Sequence, residues 1–488
     1  MLTLRNTRAL STKAPLLQRR ILVASPRAVA GGQFQHANFS NKTPVRTATH
    51  PRQAAAAVPA AAGYQSITAT TPPASPHSPQ NNILAKLPTP ALLRNLLIQN
   101  VSAIPPVLSF FLFFLKRYSN FITKAPILRQ ALYYFFYVHY CAGATKSEIG
   151  RTVEDLRKLG YKGVILNYAK EVEMPGLSVK SGAEKVAQAQ ALHEQQVGQW
   201  LDGTVKGIAY APAGDYVAIK FSGAGTRVVD MLEKNHVKPD DIFADALDKV
   251  CEAARQKGVN ILVDAEHQCQ QAAIDRWTMD MMEKYNKGDN VVIFNTYQMY
   301  LKASPSILAQ HLATAESRNF NFGAKIVRGA YLGSDPRNAI HDTKADTDAA
   351  FDAAAEKLAT YHTASPRPSI KVSTVIGSHN ATSIRKIRAL RQQQASAGQP
   401  VADVVFSQLM GMADELSLSL TEADTDAGFV QGDCGVYKYV TWGTMQECIM
   451  YLARRAEENR DAVACARDSR SLFWNELKRR WSPATKRA

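Results

Sequence analysis

The stretch YLARRAEEN, residues 451–459, sets two arginines side by side, with a tyrosine one turn before them and glutamates after them. At 3.6 residues per turn, Ile449, Leu452, Ala453 and Ala456 make one apolar stripe of a helix from about Trp442 to Asn459. Glu447, Tyr451, Arg454, Arg455 and Glu458 fall on the other side. Adjacent guanidinium forks suit a carboxylate, which each can hold by two parallel charge-assisted hydrogen bonds. Glu458, one turn on, can steady them. The competing reading is a solvated polar face.

Further cations stand in apolar company. Lys220 lies inside VAIKFSG, and a buried ammonium is costly without a partner. Asp264, closing ILVDAE, is a candidate partner, in a substrate site or in a purely structural ion pair. Lys325 and Arg328 in AKIVRGAY add two more positive groups. Such a set points to an anionic ligand or a cofactor with phosphates. No G-x-G-x-x-G follows a strand and no G-x-x-x-x-G-K-[ST] occurs, so neither a Rossmann nor a P-loop site is indicated. No G-x-S-x-G elbow appears, and the histidines form no H-x-x-x-H or H-E-x-x-H, so no metal site is expected. The six cysteines, Cys141, Cys251, Cys269, Cys434, Cys448 and Cys465, include no C-x-x-C pair and read as reduced thiols.

The elements that must position these groups alternate. Eight short apolar, β-branched runs are read as strands: GVILNY (163–168), DYVAIKFSG (215–223), VNILVDAE (259–266), VVIFNTY (291–297), AKIVRGAY (324–331), IKVSTVI (370–376), ADVVFSQL (402–409) and VYKYV (436–440). Helical patterns separate them, as in ADALDKVCEAARQKG and AAFDAAAEKLATYH. Continuous apolar strands alternating with helices predict parallel strands buried on both faces. Eight such units predict an α/β (β/α)8 TIM-like barrel, with a doubly wound sheet as the alternative. In a barrel, function gathers at the C-terminal strand ends, where Lys220, Asp264, Glu266, Asn295, Gln298, Arg328, Tyr331, His379, Asn380, Gln408 and Tyr439 lie. Residues 171–214 read as an insertion between the first two strands, with one helix.

Charge divides the 488-residue chain. The net charge is +16, yet the first 147 residues hold 16 Lys or Arg and no Asp or Glu, leaving a body with 42 of each sign. A nucleic-acid role loses its support. The acid-free start MLTLRNTRALSTKAPLLQRRILV predicts a mitochondrial transit peptide over 1–34. An Ala-, Pro- and Ser-rich linker is assigned to 35–100. Helices over 101–144 carry VLSFFLFFL and ALYYFFYVHY with Lys116, Arg117, Lys124 and Arg129 among them. Each run is shorter than the ~20 residues of a spanning helix. Interfacial helices on an anionic bilayer and helices buried under the catalytic domain both fit. The remaining 145–488 is assigned to one barrel domain.

The motifs VDAEHQCQQAAID, NTYQMYLK, AKIVRGAYL, GSHNATSI, FSQLMGMADELS and YKYVTWGTMQECIMYLARRAEEN resemble, in this order and in register with the strands, the proline dehydrogenase family in its fungal-type mitochondrial branch. The resemblance covers roughly 141–459. It implies FAD held at the barrel mouth below a final helix whose Arg454 and Arg455 grip the substrate carboxylate. Lys220 assists beside Asp264, Glu458 braces the arginines, and Tyr331, Leu409, Tyr439 and Tyr451 wall the ring. For the flavin it implies Lys325 near N5, with Asn295, Arg328, Gly329, Ala330, Lys344, His379 and Asn380 as further contacts. The chain departs from the family at Lys325, where arginine is frequent, at Asn295, where glutamine is common, at Leu332 and in VTWG (440–443). A segment similar to the tail after Asn459 lies near the flavin in relatives.

The implied activity is oxidation of L-proline to Δ1-pyrroline-5-carboxylate, the first step of proline catabolism. A hydride passes from C5 to flavin N5 and electrons pass on to ubiquinone. Implied surroundings are the matrix side of the inner mitochondrial membrane and functional coupling to a pyrroline-5-carboxylate dehydrogenase. Tyr439 favours proline over 4-hydroxyproline. No side chain is assigned as catalytic acid or base. Oxidation of 4-hydroxyproline, a barrel lyase using Lys220 as a Schiff-base nucleophile, and a non-enzymatic membrane scaffold are the alternatives.

Overall fold

The computed structural model describes residues 83–169, 183–364, 370–426, 433–465 and 467–482. The expected transit peptide, and the expected linker as far as residue 82, lie outside them. Each of the eight apolar runs is a strand: β1 (Gly163–Tyr168), β2 (Tyr216–Ile219), β3 (Asn260–Val263), β4 (Ile293–Gln298), β5 (Phe322–Val327), β6 (Val372–Gly377), β7 (Asp403–Leu409) and β8 (Asp433–Trp442). They close a barrel in chain order, with β8 parallel to β1. The doubly wound alternative is thereby excluded.

Alternation along these strands decides what reaches the mouth. Ile165, Tyr216, Leu262, Phe294, Val375, Val405 and Tyr437 fill the barrel interior. Laterally paired residues of a parallel sheet share a face. Val375 pairs with Lys325 and with Val405, so Lys325 points inward. Ile165 pairs with Tyr439, and Tyr439 with Leu409, so these point inward too. Two-residue steps from Ala218 and Leu262 carry the same face to Lys220, itself extended, and to Asp264, whose N–H continues the ladder to Ile219 O. The opposite set, including Val164, Val217, Val263 and Ala324, packs under the helices.

Two expectations are corrected. The described part of the supposed insertion 171–214 is the helix Ala183–Tyr210, the β1–β2 crossover, which packs on both strands and on helix Asp241–Lys257. A parallel pair requires such a crossover. The linker assignment fails at its end, where Ile83–Lys86 makes a 3-10 turn and Thr89–Ser102 an α-helix. There the Ala/Pro/Ser composition gives way to ALLRNLLI, whose Leu92, Leu96 and Ile98 are buried. The tail helix Arg467–Trp481 docks on this segment: Glu476 holds Arg479 and Arg480, and Arg480 reaches Thr89 Oγ1 and Leu87 O.

Helices Thr89–Ser102, Pro105–Arg117 and Ser119–Lys124, with the turn Tyr133–Tyr137, cover the final barrel helix, Met445–Cys465. Leu108, Leu112 and Leu115, spaced i, i+4, i+7, are buried against its Ile449, Leu452, Ala453 and Ala456. Phe110 and Phe113 on the other face are 70% and 61% exposed, and Phe121 and Ile127 follow at 60% and 83%. One face of these helices is thus buried on the final barrel helix, as the second reading expects, and the other is apolar and exposed. Leu108→Ala is expected to cost about 2–5 kcal/mol of unfolding free energy in urea. Phe113→Ala is expected to stay within about 0.5 kcal/mol of the parent. Equal effects would contradict this packing.

Candidate functional site

At the mouth, Asp264 is the hub. Its Oδ1 lies 2.5 Å from Lys325 Nζ and its Oδ2 accepts from the Tyr439 hydroxyl at 2.7 Å. Lys325 Nζ also sits 5.0 Å from the centre of the Tyr439 ring. Burial opposes a charge here, but Lys325, Lys220 and the Tyr439 hydroxyl outweigh it and hold the Asp264 carboxyl below the usual carboxylate range. The expected Lys220–Asp264 pair is thus corrected: the ion-pair partner is Lys325, across the barrel on β5. Sequence spacing gives the face of each residue, not its neighbour across the interior.

Lys220 opens instead into a cavity of about 520 Å3, where Glu266, Tyr331, Tyr451 and Arg454 join it. Burial disfavours its charge, yet Tyr331, Asp264 and Glu266 raise its pKa above the ordinary lysine value. Trp200 of the β1–β2 crossover helix forms part of the wall and donates its indole N–H to Lys220 O at 2.9 Å. Nothing in the sequence marked Trp200, because the crossover was read as an insertion. Glu266 accepts from the backbone N–H and the hydroxyl of Ser222. Its pKa is raised, by burial first, with Lys220 and Ser222 offsetting only part.

The paired arginines come from helix Met445–Cys465, started by Thr444, whose N–H and hydroxyl both donate to Glu447. Glu447 also accepts from Tyr168. It therefore caps the helix start. Arg454 lines the cavity with Lys220. Arg455 is only 7% exposed, its guanidinium 5.0 Å from the Tyr451 ring centre and near enough to Tyr439 and His379 to act on both electrostatically. The solvated-face reading fails for both. Glu458 is in the helix, but its side chain lies outside the described residues.

On the β5–β6 side, Arg328 is fixed by Asp348 at 2.6 Å, Ser378 at 2.7 Å and Ser383 at 2.8 Å. Lys344 meets the same Asp348 at 2.5 Å and begins helix Lys344–Ala359. Asn380 caps helix Ala381–Ser396, and His379 Nε2 accepts from Leu409 N–H, so the ring proton sits on Nδ1. Gly329 has φ +153, and a Cβ there would meet the Tyr300 ring at 2.0 Å. Ala330 N–H donates to Gln298, whose amide also binds Glu266 O. Two helix N-termini, Lys344 and Arg328 form a donor set suited to phosphates. Asn295 is not brought here: it pairs with the outward-facing Val263, is fully buried, and donates to Asp275 at 2.8 Å in the helix layer. Inward positions on β4 are Phe294, Thr296 and Gln298. Lys438, 1% exposed, went unread; it binds Asp414, Ser417 and Met412 O on the outer side of β8. Among the described residues no group of His, Cys, Asp and Glu could hold a metal ion.

Residues 149–467 match the sequence model of a family described as proline dehydrogenase. The chain is 30% identical over 400 residues to a probable mitochondrial proline dehydrogenase of Schizosaccharomyces pombe, covering 71% of this chain and 80% of that protein. It is 30% identical over 403 residues to proline dehydrogenase 1, mitochondrial, of Dictyostelium discoideum, covering 71% and 65%. Among solved structures, the crystal structure of proline utilization A from Bdellovibrio bacteriovorus inactivated by N-propargylglycine aligns with a TM-score of 0.51 at 16% identity. It covers 66% of this chain and 32% of that one, and supports the barrel fold alone.

The hub makes a stability prediction. Asp264→Asn leaves Lys325 buried without its anion and is expected to cost about 3–5 kcal/mol in denaturant unfolding. Pairing it with Lys325→Met should recover part of that loss. Because the folded Asp264 pKa is depressed, its contribution is full above the ordinary carboxylate pKa and disappears as pH falls through the lower folded value. The acid limb of the parent's stability curve should therefore be shallower in the double variant.

Proposed function

Since the chain belongs to the proline dehydrogenase family, we propose that it oxidises L-proline to Δ1-pyrroline-5-carboxylate, the first step of proline catabolism. The observation that carries this reading is the convergence of Arg454, Lys220, Tyr331 and Tyr451 on one cavity. The cations take the carboxylate, each charge-assisted hydrogen bond contributing ~1.5–3 kcal/mol. Tyr331, Leu409, Tyr439 and Tyr451 wall the ring and keep water from it. Asp264, held as an anion, fixes Lys325 and Tyr439 so that the slot does not rearrange when ligand enters. Catalysis is then chiefly orientation.

FAD fits the opposite half of the mouth. Lys344, Arg328, His379, Asn380 and the amides of Gly329 and Ala330 supply cationic and N–H donors, and Gly329 allows close backbone approach. When bound, FAD supplies the acceptor for a hydride from proline C5. Arg328 is also tied to Asp348 and two serines, which stiffens this wall. Asn295 is left out of the set. Ubiquinone as the next electron acceptor, and coupling to a pyrroline-5-carboxylate dehydrogenase, follow from the same reading.

A mitochondrial location accords with the names of the relatives and with the acid-free start. No single helix among the described residues is long and apolar enough to cross a membrane. The exposed Phe110, Phe113, Phe121 and Ile127, with the exposed Lys116, Arg117, Lys124 and Arg129 on the same helices, suit the surface of an anionic bilayer, here the matrix face of the inner membrane. The lyase alternative predicts a colourless protein that borohydride traps with substrate, and flavin absorbance bleached by proline would remove it.

Arg455→Met should weaken proline binding by about 10- to 150-fold while FAD stays bound, as read by stopped-flow reduction. Unchanged affinity would remove the clamp. Replacing Phe110, Phe113 and Phe121 together by Ser should abolish sedimentation with vesicles containing anionic lipid, yet leave proline-dependent dye reduction intact. Sedimentation equal to the parent's would refute the membrane face.

A further inference from the structure

We propose that Glu266 is the base that takes the ammonium proton from the amino-acid substrate. The inference rests on the reading above and names a residue for a step that the carboxylate clamp leaves unassigned. A cyclic amino acid arrives with its nitrogen protonated. The nitrogen must regain its lone pair before C5 can give up a hydride, because that pair becomes the second bond of the C=N product. In the step proposed, an N–H bond breaks, an O–H bond forms on the Glu266 carboxylate, and the electron pair stays on nitrogen. No oxidant is needed beyond the flavin already invoked.

Geometry singles out Glu266. It stands two residues beyond Asp264 on the same inward face and lines the cavity that holds Lys220 and Arg454. The two carboxylates differ in their partners. Asp264 is bound by an ammonium and a phenol. Among the described residues, the Glu266 carboxylate accepts hydrogen bonds from the neutral donors of Ser222, and Lys220 acts on it through space without a direct ion pair. Asp264 is therefore locked as an anion, with its pKa lowered, while that of Glu266 is raised. Neighbouring acids pushed in opposite directions are how a site separates a charge stabiliser from a proton carrier.

The other charged groups around Glu266 have different tasks. Lys220 and Asp264 face it from the strand ends, and Arg454 and Tyr451 from the final helix. Tyr331 lies across the cavity, its ring 4.3 Å from that of His267, whose Nδ1 is turned to Ser334 and lies 3.6 Å from Asp335. Asp230 and Glu233, exposed at the outer end, give the proton a route to water. A zwitterion is thus met at both ends, its acid group by cations and its nitrogen by Glu266.

The test uses the FAD-loaded full chain. kcat/KM for proline is followed against pH for the parent, Glu266→Gln, Ser222→Ala and His267→Asn. Glu266→Gln should lose about 100-fold or more near neutral pH. The loss should shrink as rising pH supplies the free amine from solution. Ser222→Ala removes a bond that favours the ionised acid, so the acidic limb should move to higher pH. Calorimetric binding of cyclopentanecarboxylate, which has the acid group and no amine, should stay within about twofold in Glu266→Gln, since a polar partner is lost only where the ligand carries the nitrogen. Parallel pH profiles for parent and Glu266→Gln, an equal loss of cyclopentanecarboxylate binding, or loss of the acidic limb in His267→Asn instead would overturn the assignment. A parent chain that binds flavin but leaves it oxidised with proline defeats the reading beneath it as well.

Discussion

Four cations, Lys220, Lys325, Arg454 and Arg455, are brought to one rim, Lys325 and Arg455 buried and Lys220 and Arg454 half-buried. Each repels the others more strongly there than in bulk solvent, because the effective dielectric is lower. Lys325 is compensated outright by Asp264 at 2.5 Å. Lys220 has no such direct ion pair among the described residues, and the nearby carboxyls of Asp264 and Glu266 favour its charge. The rim consequently keeps an attraction for a small anion beside Lys220, while the Lys325–Asp264–Tyr439 group stays rigid. Placing the direct ion pair across the barrel, rather than between β2 and β3, is what leaves Lys220 available to ligand.

The helix bearing the arginines depends on a second constraint. Its apolar stripe would be exposed on a bare barrel, and it is buried instead by Leu108, Leu112 and Leu115 of the N-terminal helices. The clamp helix is thus held between the barrel mouth and a cover that is itself apolar on its far side. Tyr137 adds a polar tie, its hydroxyl donating to Gly443 O just before the helix begins. The exposed apolar face of the cover lies one helix away from Arg454 and Arg455.

Period-two alternation made most of this legible. All eight strands were readable from apolar runs, and Lys220, Asp264, Lys325, Leu409 and Tyr439 reach the interior because each keeps its strand's inward parity. Where that logic was not applied, the reading failed: Asn295 lies one step off the inward face of β4 and points to Asp275 instead. Cross-barrel pairing was not legible, since Lys325 and Asp264 are 61 residues apart and nothing local links them. The start of the N-terminal helix was hidden by the low-complexity composition before it, and Trp200 by the length of the first crossover. Lys438 resembles a mouth cation in sequence, but its odd parity sends it outward to Asp414.

Specificity follows from the cost of leaving such a rim half filled. A ligand with a ring but no acid group would bury Tyr331, Tyr439 and Tyr451 against apolar surface while stripping water from Lys220 and Arg454 without replacing it. An unpaired buried charge costs more than a neutral contact returns. A ligand with an acid group but no ring leaves the aromatic walls wet and the C5 position unfixed. On the proposed reading, a compact ring carrying a carboxylate satisfies both ends at once. The site therefore discriminates less by the contacts it offers than by the groups it would leave stranded.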